Sequence, residues 1–221
     1  MSFTKNKYQV IREVISKDVA KVAYNYLRMR EAAERKLQEY HITTDWHGIF
    51  NDPQVPGSYS IYGDYLMETL LIDTLPFIEK KTLTQLVPTY AYTRLYKKGN
   101  ILERHKDRFS CEISSTMNLG GDDWPIFISP KENIGLPESQ GGRRGITMAS
   151  NAKGVKVTLR PGDMLLYRGA ELEHWREPFK GIECGQVFFH YNDKKGPYKT
   201  SNLYDNRTML GLPSRFRNFK L

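Results

Sequence analysis

From Pro88 onward the chain is written in short β segments with turns between them. The candidate strands are Tyr90–Tyr96, Ser110–Leu119, Ile126–Ile128, Gly145–Met148, Val155–Leu159, Asp163–Tyr167 and Gln186–Tyr191. About seven short strands in roughly a hundred residues suggest a jelly-roll or sandwich. The stretch Ser129–Gly145, rich in Gly, Pro and Ser, interrupts them as a long loop. A loop of that kind is a lid, a binding loop or an insertion.

The part before Pro88 has a different period. Lys17–Glu39 reads as one helix, because Val19, Val22, Ala23, Tyr26, Ala33 and Leu37 fall on steps of three, four or seven. Arg30 occupies the one missing step. The punctuation of His41–Tyr59 makes it a loop, and its His47 reads as a surface or hydrogen-bonding residue. Gly63–Lys81 is a second helical region, with Asp64 placed to cap it and Pro76 to interrupt or restart it. Leu66, Leu70, Asp73/Thr74 and Phe77 give it an imperfect apolar stripe. The expected class is α+β with a mainly β core, a jelly-roll buttressed by N-terminal helices. The expected parts are a helical section at about 1–87, a core at about 88–193 and a basic, aromatic tail at 194–221.

With 221 residues and 39% apolar content, one substantial core and one domain are expected. No apolar run is long enough to span a bilayer, and MSFTKNKYQVIREV lacks the apolar stretch of a secretory signal. The expected setting is therefore a cytoplasm, without a membrane partner. Cys111 and Cys184 belong to no CxxC pair, so both read as small buried hydrophobes rather than as a disulfide or zinc ligands. The net charge of +8 favours acidic partners, but it is scattered along the chain and reads mostly as solvated surface. Motifs for nucleophilic hydrolases, phosphate loops, dinucleotide folds and zinc peptidases are absent.

Chemistry concentrates in Tyr92–Asp107 (YTRLYKKGNILERHKD). A strand, a turn at Lys97–Asn100 and a short extended run deliver His105 and Asp107. Side chains two apart on an extended segment share a side. His105 and Asp107 thus supply two of the three ligands of a facial two-histidine, one-carboxylate iron site. A second segment runs from the Pro161-Gly162-Asp163 turn through Met164–Tyr167 to His174. In a rolled antiparallel sheet this late strand end can return beside His105 and Asp107. His190, in VFFHY, is the alternative third ligand, but His174 is favoured by its polar flanks and its place after PGDMLLY.

Four blocks in order, PTYAYTRLYKKGNILERHKDR, SCEISSTMNLG, RPGDMLLYRGAELEHWREPF and GQVFFHYND, resemble the iron(II)- and 2-oxoglutarate-dependent oxygenases, in the branch close to prolyl 4-hydroxylases. The resemblance implies a double-stranded β-helix. It implies Fe(II), 2-oxoglutarate and O2 as cofactors and co-substrates, with ascorbate as a supporting reductant. His105, Asp107 and His174 match the metal ligands, and Tyr96 matches a tyrosine that hydrogen-bonds the keto-acid. The chain departs from the family where relatives carry a cation after the second histidine, since Glu183, Cys184, Gly185 and Gln186 occupy that window. A buried carboxylate needs charge-assisted donors. The expected order of substitutes is Arg94, which shares a face with Tyr92 and Tyr96, then Arg108 beside Asp107, then Gln186 as a neutral donor. Glu112 either points inward or is exposed.

The activity implied is hydroxylation of a C–H bond, in a prolyl or other peptide side chain. Alternatives are the same chemistry on a nucleic-acid base or a small molecule, or a jelly-roll that binds a ligand or partner without catalysis. The late-strand arginine pair of base demethylases is missing from GIECGQVFFHYND. Oligomeric state is left open.

Overall fold

A computed structural model describes residues 2–42, 46–130 and 152–219. The expected strand Gly145–Met148 and all but the start of the Ser129–Gly145 loop lie outside the described residues. Among the described residues, ten strands form two antiparallel sheets. They are β1 (Tyr8–Ile11), β2 (Tyr59–Tyr62), β3 (Leu86–Lys97), β4 (Leu102–His105), β5 (Ile113–Gly121), β6 (Ile126–Ile128), β7 (Val155–Val157), β8 (Met164–Tyr167), β9 (His174–Arg176) and β10 (Glu183–Asp193). The larger sheet has the order β1-β8-β5-β10-β3-β2, and the smaller one β4-β9-β6-β7. The two sheets make a double-stranded β-helix.

The helices α1 (Phe3–Asn6), α2 (Lys17–Glu39) and α3 (Tyr65–Thr82) precede the long strands. The outer face of the larger sheet and the helices share one apolar core. Leu27 of α2, Leu71 and Ile78 of α3, and Ala91, Leu95, Met117, Val187 and Phe189 of the sheet meet there. Fully burying a Leu or Phe contributes about 1.5–3 kcal/mol, so this face carries much of the stability. Gly120 lies under Tyr24 of α2, where a Cβ would come within 2.8 Å of the ring. Only glycine lets the helix approach so closely.

The extent of α2 is as expected, and Ser16 caps it by accepting from Val19 N–H. Its buried face is not. Val19 and Val22 are exposed, while Ala20, Ala23, Leu27, Glu31 and Glu34 are buried. The stripe is turned by one position because the sheet contact centres on Leu27 and Tyr24, and paired glutamates are admitted on its flank. Arg35 bonds Glu31 at 2.5 Å and Gln38 bonds Glu34 at 3.2 Å. In α3 the Asp64 cap is present, with Leu66 and Met67 N–H donating to it. Pro76 neither breaks nor restarts the helix. It sits on the exposed side, where the carbonyl it leaves unpaired can be hydrated. The buried stripe is Met67, Leu70, Leu71, Thr74 and Ile78, with Phe77 outside it.

The helical part also holds two strands that the sequence reading did not anticipate. β1 pairs with β8, and β2 pairs with β3, so both edges of the larger sheet come from before Pro88. The tail crosses one end of the barrel. Its Arg207 is buried against Glu68 of α3 at 2.7 Å, and Gly211 N–H of the same tail also donates to Glu68. Cys111 and Cys184 are free and buried. Among the described residues, no helix is long and apolar enough to cross a membrane.

Candidate active site

The two-residue period of β3 sorts its side chains. Ala91 and Leu95 face the helices, while Tyr90, Tyr92, Arg94 and Tyr96 face the barrel. On β10 the same rule sends Val187 and Phe189 outward, and Cys184, Gln186 and His190 inward. The interior of the barrel is therefore lined by polar and aromatic groups.

β4 and β9 are antiparallel neighbours, and their register sets His105 opposite His174. The ring centroids are 4.2 Å apart. Asp107 follows β4, with its N–H donating to Gly169 O at 2.9 Å. A Cβ on Gly169 would overlap the Asp107 carboxylate, so glycine is required at this approach. One ligand atom from each of His105, Asp107 and His174 can be chosen so that all lie within 4.8 Å of one another. They are the only such group among the described residues.

The hydrogen bonds fix how the rings present themselves. His105 Nδ1 lies 2.7 Å from Glu103 O, and His174 Nδ1 lies 3.1 Å from Leu172 O. A carbonyl only accepts, so each Nδ1 carries the proton and each Nε2 offers a lone pair. Both Nε2 atoms face Asp107 Oδ1, at 3.6 and 3.4 Å. Burial, and then His174, pushes the His105 pKa down to about 4. Burial opposes charge on Asp107, but its contacts with His174 and then His105 hold it below the usual carboxylate range. Two lone pairs and an anionic oxygen converging on one point repel one another unless a cation lies between them. Two imidazoles and one carboxylate are a donor set suited to Fe(II). The residues present fit such a metal.

A second layer supports the ligands. Ser114 Oγ donates to Asp107 Oδ2 at 2.6 Å and lies 3.0 Å from His190 Nδ1. His190 therefore belongs behind the carboxylate and outside the ligand group. Gln54 Nε2 stands 3.3 Å from His105 Nε2. His47 is not one of this group, and its carbonyl accepts from Tyr59. Glu112 is neither exposed nor beside Arg94: it is buried, accepting from Asp193 N–H at 3.0 Å.

The candidate anchors sort differently from their expected order. Arg94 is buried in the barrel, but Asp52 pairs with it, and it also donates to Ser60 Oγ and Gln54 Oε1. Burial works against its charge, yet Tyr96, Tyr92 and Asp52 hold its pKa up. The Arg108 guanidinium lies 4.6 Å from the barrel-facing Tyr90 ring, but it is already paired. Both of its terminal nitrogens bond Asp205 of the tail at 2.7 Å. Gln186 lies inside, accepting from Thr116 at 3.1 Å. Tyr96 also lies inside, and its hydroxyl has no partner among the described residues.

Sequence reasoning missed four residues here: Asp52, Gln54, Ser114 and Arg176. Arg176 is buried on β9 with no carboxylate partner among the described residues. Burial lowers its pKa, and the groups that oppose this are Cys184, Tyr96 and Tyr167. The signal was available, because Arg176 is two residues after His174 and so shares its face. Asp52 and Gln54 carried no signal, since they come from an irregular loop.

No family model matches the chain, and no curated protein matches its sequence. Its backbone is similar to that of a Pseudomonas putida prolyl-4-hydroxylase, with a TM-score of 0.56 and 15% identity over 86% of this chain and 95% of the other. It is similar to the epimerase SnoN of nogalamycin biosynthesis, solved with Fe3+, alpha ketoglutarate and nogalamycin RO. That TM-score is 0.60, at 14% identity over 97% of this chain and 91% of the other. HygX from Streptomyces hygroscopicus, solved with nickel and 2-oxoglutarate, gives a TM-score of 0.56 and 14% identity over 87% and 85% of the two chains. The chain has the double-stranded β-helix fold that these three structures share.

Proposed function

We propose that this protein is an Fe(II)- and 2-oxoglutarate-dependent oxygenase that hydroxylates a C–H bond, in a prolyl or other peptide side chain. The observation that carries the reading is the convergence of two Nε2 lone pairs and Asp107 Oδ1 inside this fold. His105, Asp107 and His174 would hold the metal. Held there together with 2-oxoglutarate and O2, iron would supply the oxidation of an unactivated C–H bond, coupled to conversion of 2-oxoglutarate to succinate and CO2.

The chain's own part is positioning and shielding. Ser114 fixes the outer oxygen of Asp107 and so leaves Oδ1 for the metal. The carbonyls of Glu103 and Leu172 hold both imidazoles in the ligating tautomer. Tyr90, Tyr92, Tyr96 and Trp124 would wall the barrel and shield the reaction from solvent. The reading takes residues 1–221 as one domain, because the larger sheet is complete only with β1 and β2, and sets it in a cytoplasm.

A small-molecule substrate is the second reading. It is favoured by the similarity to HygX, solved with hygromycin B, and to SnoN, solved with nogalamycin RO.

Anaerobic addition of Fe(II) and 2-oxoglutarate is expected to give a weak visible charge-transfer band. Its absence with metal loading confirmed would remove the co-substrate from the reading. Succinate release with pools of peptides, amino acids and small molecules then separates the substrate classes.

A further inference from the structure

We propose that Arg176 and Tyr96 form the site for the distal carboxylate of a dicarboxylic keto-acid, at the end of the barrel closed by Val55, Leu102, Trp124 and Phe179. The inference rests on the oxygenase reading and deepens it, by naming the feature that would select a diacid over a monoacid.

Three buried arginines can be compared. Arg94 has Asp52 and Arg207 has Glu68. Arg176 is only 1% exposed and has no carboxylate among the described residues. One terminal nitrogen donates to Trp124 O, and the other reaches Thr116 Oγ1 at a long 3.3 Å. Its Nε has no acceptor among the described residues. A buried guanidinium left without an anion is costly, so an unmatched one marks a place where an anion belongs.

A second orphan lies beside it. Tyr96 is fully buried and its hydroxyl has no partner among the described residues. The Tyr96 and Trp124 rings are 4.6 Å apart, and the Arg176 guanidinium is 5.0 Å from the same Trp124 ring. Both unmatched donors thus belong to side chains packed against one indole, and Tyr96 is close enough to act electrostatically on Arg176. Thr116 and Gln186, bonded to each other, add neutral polar lining next to Arg176.

The chemistry of the two groups specifies the ligand. The Nε edge of a guanidinium and a phenol hydroxyl suit the two oxygens of a carboxylate. Arg176 stands two strand residues from His174, a rise of about 7 Å. A keto-monoacid would leave Arg176 unmatched. The expected place for the cation was nine to twelve residues after His174, on β10. Here it comes from β9 and approaches the same interior from the opposite sheet.

The test is calorimetric titration of the anaerobic Fe(II)-loaded protein with 2-oxoglutarate and with pyruvate. The wild type is expected to bind 2-oxoglutarate about 100-fold more tightly than pyruvate. Arg176→Gln should lose about 100-fold for 2-oxoglutarate, while keeping its pyruvate and Fe(II) affinities within about threefold. Arg176→Lys should recover part of the loss, and Tyr96→Phe should lose about tenfold for 2-oxoglutarate alone. Retained 2-oxoglutarate affinity in folded Arg176→Gln, or equal losses for both acids, overturns the assignment and leaves the oxygenase reading standing. If Arg176→Gln does not fold, an unchanged 2-oxoglutarate affinity in Tyr96→Phe overturns the site. A wild type that holds Fe(II) and binds neither acid overturns both readings.

Discussion

Ser114 Oγ donates to Asp107 Oδ2 at 2.6 Å, which turns Oδ1 of the same carboxylate toward both histidines. The hydroxyl is fully buried on β5, seven residues from the carboxylate it orients. Supporting partners of this kind typically change metal affinity by about 10–100-fold when removed. Ser114→Ala is expected to weaken Fe(II) binding by about tenfold with the circular dichroism unchanged. An unaltered metal titration would show that the backbone alone orients Asp107.

The ligand group predicts a stability effect as well. A metal present at 100 times its Kd stabilises the folded chain by about 2.7 kcal/mol. Fe(II) or Mn(II) should raise the unfolding midpoint of the wild type by several degrees. His105→Ala and Asp107→Ala should show no such rise. A persistent rise in either variant would place the metal elsewhere.

The buried histidines set a pH dependence. His105 and His190 are both pushed down to about 4 by burial first, against about 6.5 for an unfolded histidine. Between those values the unfolded chain binds protons that the folded chain does not. Stability therefore rises with pH across that window. It is fully present above about pH 6.5 and is lost as pH falls toward 4, by on the order of a few kcal/mol in total. Urea unfolding of the metal-free protein at pH 7.5, 6 and 4.5 measures this. His190→Asn should flatten the curve, and an identical slope in that variant would refute the assignment.

The tail is held by a buried ion pair. Arg207 bonds Glu68 at 2.7 Å, and Glu68 also accepts from the N–H groups of Ala91 and Gly211. Removing one partner of such a pair typically costs about 3–5 kcal/mol. Arg207→Ala should lose that much in chemical denaturation and should expose the tail to proteolysis. A loss below about 1 kcal/mol would mean the tail is held by its other contacts.

What was legible in the sequence was whatever depends on period. The inward parity of Tyr92, Arg94, Tyr96, Gln186 and His190 follows from alternation alone. The ends of α2 and the Asp64 cap follow from local signals. The buried face of α2 was misread, because hydropathy favoured Val19 and Val22 over Glu31 and Glu34. Packing against the sheet and side-chain pairing reversed that preference. β1 and β2 were missed because each is a four-residue strand set among helices and loop, with no neighbouring strand in sequence to pair with. The pairs Arg94–Asp52, Arg108–Asp205 and Glu68–Arg207 join distant parts of the chain, so neither partner announces the other. Arg176 was overlooked although its parity with His174 was plain, because the cation was expected on β10.

The alternation along β3 has a genetic consequence. Its twelve residues carry two interleaved texts, one read by the helices and one by the barrel interior. A substitution edits one text and spares the other. A single inserted or deleted residue before Ala91 exchanges them, sending Arg94 and Tyr96 into the helix-facing core and Leu95 into the barrel. This strand should therefore accept change by replacement and almost none by a shift in length. The turn that follows, with Lys98 and Gly99 exposed to solvent, has no parity to protect and is where a change in length can be absorbed.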